Sequence, residues 1–75
     1  MKITADYLRE KIERKIPGTT AEVIAVKNDG MHFKAIVQSK KFEGKSRIEQ
    51  HRMIYDALED DFKKGLHSLS IEVVD

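Results

Sequence analysis

Residues 21–38, AEVIAVKNDGMHFKAIVQ, decide how the rest of the chain must be arranged. Residues 21–26 are rich in β-branched side chains and Asn28-Asp29-Gly30 is turn chemistry. Beyond the turn Phe33, Ala35 and Val37 alternate with His32, Lys34, Ile36 and Gln38. Two extended runs joined in this way form a β-hairpin whose second strand has one apolar face. A hairpin is marginal by itself in water, so the flanking sequence has to cover that face.

Upstream, residues 3–16 read as a helix. Leu8, Ile12 and Ile16 recur every four residues, Thr4 stands at the cap, and Asp6 lies in the positive first turn. Ile3 and Leu8 occupy the two positions of a hydrophobic staple, and Pro17-Gly18 ends the helix. Downstream, residues 38–45 form a polar connection in which Phe42 is the one large apolar residue, tucked under a short helical turn. Ser46-Arg47-Ile48-Glu49 satisfies the capping-box pattern. The stripe Ile48, His51, Tyr55, Leu58, Phe62 then predicts one helix of about four turns. Lys63 and Lys64 complement its negative end and Gly65 supplies the left-handed cap. In the final strand His67, Leu69, Ile71 and Val73 share a face by the period-two rule.

The expected fold class is α+β, a three-stranded mixed sheet with the helices packed on one face and the other face partly open. At 75 residues the chain has room for one domain, 1–75, with one core and no elaborate cleft. Apolar residues at 40% and charged residues at 36% suit a soluble globule. Fourteen Lys and Arg against thirteen Asp and Glu leave a net charge of +1, so any pull on nucleic acid or lipid must come from local clustering. The first ten residues become charged too early for a signal peptide, and no apolar run approaches the ~18 residues of a membrane span. The expectation is a cytoplasmic protein, or the mature form of one imported into an organelle, that does not engage a membrane.

Cysteine is absent, which excludes disulfides, a cysteine nucleophile, Cys-ligated zinc and a self-sufficient Cys₄ cluster. Gly44-Lys45-Ser46 lacks the earlier glycine of a phosphate-binding loop, since Ser39 stands there. No spacing brings Asp29, Glu49 or Glu59 together with a nucleophile, so the chain is read as not an enzyme. Three histidines remain as metal donors. His51 lies on the apolar stripe and reads as a packed, hydrogen-bonded side chain. His32 and His67 each lead a strand, where loops leave a rigid sheet. If those strands are neighbours, both rings come to the same end of it. Paired imidazoles on one iron have precedent in Rieske centres, but two make an incomplete set, so a 2Fe–2S cluster here would need thiolates from a partner. Its binding would weaken as the histidines protonate near pH ~6.5. Lys40, Lys41, Lys45, Arg47 and Arg52 form the one basic concentration, either a solvated surface or a patch for phosphate.

Phe42-Glu43-Gly44-Lys45-Ser46, Gln50-His51-Arg52-Met53-Ile54-Tyr55 and Leu66-His67-Ser68-Leu69-Ser70-Ile71 resemble, in this order, the three characteristic stretches of BolA-like proteins. Asn28-Asp29-Gly30-Met31-His32-Phe33 is similar to that family's hairpin turn. The resemblance implies an α-β-β-α-α-β fold akin to the class II KH domain. It also implies partnership with a monothiol glutaredoxin of the CGFS type in a glutathione-dependent heterodimer that shares a 2Fe–2S cluster. By position, His67 matches the family's C-terminal histidine ligand, and His32 is the candidate for the second ligand in the hairpin. Alone, the chain is expected to be a monomer without a bound cluster. Nucleic-acid regulation is the family's other implied role, with DNA as partner and Lys40, Lys41, Lys45, Arg47 and Arg52 as contacts. Gly44-Lys45-Ser46-Arg47 lacks the second glycine of a KH GxxG loop, and Gln50 replaces the commoner arginine before His51.

Overall fold

The computed structural model describes residues 3–74. Helix α1 (Ala5–Lys15) leads into strands β1 (Thr19–Ala25) and β2 (His32–Ser39). A 3₁₀ turn (Lys40–Phe42), helices α2 (Arg47–Ala57) and α3 (Glu59–Lys63) and strand β3 (Ser68–Val73) follow. Thr4 caps α1 by accepting from the Tyr7 amide at 3.1 Å, and Ile3, Leu8, Ile12 and Ile16 are all buried. The capping box of α2 is complete: Ser46 Oγ accepts from the Glu49 amide at 3.2 Å and the Glu49 carboxylate accepts from the Ser46 amide at 3.3 Å. Phe42 is buried beneath the 3₁₀ turn as its isolation in a polar stretch implied.

The sheet order is β1-β2-β3, with β1 antiparallel and β3 parallel to the central β2. In this register Ala21 opposes Val37 and Val23 opposes Ala35, while Phe33, Ala35 and Val37 lie beside Leu69, Ile71 and Val73. That row meets Leu8 and Ile12 of α1, Ile54 of α2 and the buried Leu58 in one core. The alternate row, with Ile24, Lys34, Ile36 and Glu72, belongs to the other face, where Lys34 and Glu72 lie 3.6 Å apart. The α+β class, the mixed sheet and the one-sided helical layer all agree with the expectation.

Three details differ. Leu58 of the expected stripe is fully buried, but within α2 the inward residue is Ile54, also fully buried, whereas Ile48 is 72% and Tyr55 40% exposed. Both lines repeat at helical spacing, and only packing against the sheet selects between them. The single long helix is interrupted at Leu58 (φ −113°, ψ 16°), whose amide donates to Tyr55 O at 3.1 Å, a three-residue step. The break lets α3 aim the buried Asp61 at α1, where its carboxylate accepts from Tyr7 Oη at 2.6 Å and Lys11 Nζ at 2.8 Å. Finally, β3 begins at Ser68, and the inward residue before Leu69 is Leu66 rather than the exposed His67. The amides of His67 and Ser68 both donate to Met31 O, at 2.9 and 3.0 Å, so the backbone turns there and the period of two is broken.

Candidate functional site

The hairpin turn places the first imidazole. Gly30 adopts φ +72°, which a side chain would resist, and Asp29 Oδ1 accepts from the Met31 amide at 2.9 Å. The other carboxylate oxygen, Oδ2, lies 2.8 Å from His32 Nδ1. The Met31 amide, followed by His32, holds the Asp29 carboxyl below its usual range. An ionised carboxylate only accepts hydrogen bonds, so Nδ1 of His32 carries the proton and donates it. In the neutral ring the lone pair is then on Nε2, the arrangement in which a carboxylate behind a histidine orients it toward a metal.

The second imidazole is set by the turn after α3. Gly65 has φ +126°, and its carbonyl lies 3.3 Å from His67 Nδ1. A carbonyl also only accepts, so here too Nδ1 donates and Nε2 keeps its lone pair. Because β2 and β3 are parallel neighbours with His32 beside Ser68, the rings come to the same end of the sheet. Their centres are 6.2 Å apart and their planes inclined by 45°. Imidazoles bound tetrahedrally to one metal through bonds of about 2 Å have ring centres roughly 5 Å apart, so this pair stands about 1 Å wider than a shared ion would draw it. His32 is half-buried and His67 exposed, which leaves the pair open to a docked molecule. Among the described residues no group of three or more His, Cys, Asp or Glu is disposed to hold a metal.

His51 is not a packed core residue. It is half-buried beside Arg47 and Gln50 in an open groove between α2 and β3, away from the other two histidines. Lys40, Lys41, Lys45, Arg47 and Arg52 are all exposed on the 3₁₀ turn, the following loop and α2. Arg47 and Arg52 flank the exposed Ile48 and Tyr55, whereas Lys40 lines a separate hollow with Phe42. The residue that sequence reasoning missed is Asp29, read there as a turn former. The available signal was an Asp three residues before a His across an Asp-Gly turn, a spacing at which the carboxylate meets the ring.

The family model described as BolA-like protein matches residues 7–74. SufE-like protein 1, chloroplastic/mitochondrial, of Arabidopsis thaliana is 38% identical over 79 aligned positions covering 85% of this chain. The chain spans only 21% of that relative. BolA-like protein 2 of Mus musculus is 33% identical, over 81% of this chain and 73% of its own length. Among solved structures, the BolA domain of SufE1 from Arabidopsis thaliana is 40% identical with a TM-score of 0.81, covering 92% of this chain and 87% of that one.

Proposed function

The chain belongs to the BolA-like family, and from that premise we propose that it is an adaptor whose His67 and His32 hold part of a 2Fe–2S cluster shared with a monothiol glutaredoxin and glutathione. The observation that carries this reading is the histidine pair: two rings 6.2 Å apart, each with Nδ1 engaged by a protein acceptor and Nε2 left to ligate. The cluster is cargo rather than a resident group, because iron held by two imidazoles still needs thiolates and this chain has no cysteine. The role of the chain's own residues is to orient two neutral donors and keep them accessible, which makes it a binding module and not a catalyst.

The test is to mix the chain with a CGFS glutaredoxin, glutathione, ferrous iron and sulfide under anaerobic conditions. A coloured heterocomplex is expected, and His67→Ala should change its visible circular dichroism. An unaltered spectrum in that variant removes the ligand role. A second reading, nucleic-acid binding, is favoured by five basic side chains that are all exposed around the start of α2. Five phosphate contacts would give a slope of about −4 in log affinity against log salt, and no binding to duplex or single-stranded DNA at low salt excludes that role.

A further inference from the structure

The groove beside His51 is built on an unpaired sheet edge. In a parallel ladder each residue turns both backbone groups to one side, and successive residues alternate. Ser68 donates to Met31, just before β2, and Val74, just after β3, donates to Val37 of β2, so the even-numbered residues serve that ladder and Leu69, Ile71 and Val73 turn outward. Leu69 O accepts from Tyr55 Oη at 3.0 Å, whereas among the described residues the amides and carbonyls of Ile71 and Val73 meet no partner. Along this edge α2 leaves an open groove of about 360 Å³, with Arg47, Gln50 and His51 opposite Ile71 and Val73. Arg47 pairs with no carboxylate among the described residues.

We propose that this edge accepts, as a fourth strand, an extended segment of a partner protein whose carboxylate side chains face α2. Ile71 and Val73 offer donors and acceptors in alternation, which a second strand satisfies in both senses. A nucleic-acid backbone, offering phosphate acceptors, satisfies only the donors. The charge at the rim selects an acidic segment, since Lys34 is already matched by Glu72 while Arg47 is not. The same edge of a second copy fits less well, because pairing β3 with β3 would set one Arg47-bearing rim against another. The inference goes beyond the cluster reading and does not depend on the histidine pair.

The probe is a capped seven-residue peptide with glutamate, valine and threonine in alternation, added to the intact chain and followed by amide exchange. Ile71 and Val73 amides should gain at least about tenfold protection while those of Ser70 and Glu72, already in the ladder, stay unchanged. Replacing the glutamates by lysine should weaken binding about fivefold, and Arg47→Glu should reverse that preference. Methylating alternate peptide amides should abolish binding, and His67→Ala should leave it intact, which separates this surface from the ligand role. The proposal is overturned if Ile71 and Val73 gain no protection. It is also overturned if the peptide-free chain protects them by self-association, or if single-stranded DNA protects them and displaces the peptide.

Discussion

At the scale of single residues, the orientation of the two imidazoles is set by the hydrogen bonds behind them. Asp29 both closes the hairpin turn and fixes the His32 tautomer. Asp29→Asn keeps an oxygen for the Met31 amide but sets an amide group, which donates, against Nδ1. The expected result is a shift of His32 from the Nδ1–H form toward a tautomer mixture, read in long-range proton–nitrogen spectra. Unchanged ring shifts would show that the carboxylate does not set the tautomer. The places of His32 and His67 at the starts of two strands were legible in the sequence because each follows a glycine-bearing turn, His32 opening β2 and His67 standing just before β3. Asp29's second role was not, because it depends on how the turn folds its side chain back on the chain.

At the scale of elements, α2 shows what amphipathic spacing leaves undecided. Ile54→Ala should destabilise by about 2–5 kcal/mol, since it removes a fully buried side chain from the core. Ile48→Ala, on the line that the sequence favoured, should stay within about 0.5 kcal/mol because Ile48 is exposed. Urea denaturation of both variants checks the assignment, and equal losses would contradict it. At the N-terminus of the same helix, the Ser46 hydrogen bonds lower the Glu49 pKa below its ordinary value of 4.5. A depressed carboxyl stabilises the folded state above its unfolded pKa and loses that effect as pH falls through the folded value. Fraying of the first turn of α2 should therefore begin only in acid below 4.5, visible as faster exchange of the Glu49 amide.

At the scale of the whole molecule, the buried Asp61 joins α3 to α1 across 50 residues of sequence through Lys11 and 54 through Tyr7. Asp61→Asn should cost about 1.5–3 kcal/mol, the range for hydrogen bonds to charged groups, measurable as a lowered thermal midpoint. The Asp61 hydrogen bond chiefly raises the Lys11 pKa above 10.5. The contribution of that raised amine is complete below the unfolded value and is lost as pH rises through the folded one, so it should fade only above 10.5. Unfolding followed from neutral to strongly alkaline pH should show that loss in the parent chain and not in the variant. The sequence alone determined the order of elements, the caps of α1 and α2, the hairpin and the inward row of β2, since these depend on hydrogen bonds and periodicities spanning a few residues. Only the tertiary structure decided the inward face of α2, the break at Leu58, the meeting of Asp61 with Tyr7 and Lys11, and the pairing of His32 with His67. Each of these follows from which distant surfaces pack together, and local pattern is compatible with more than one such packing.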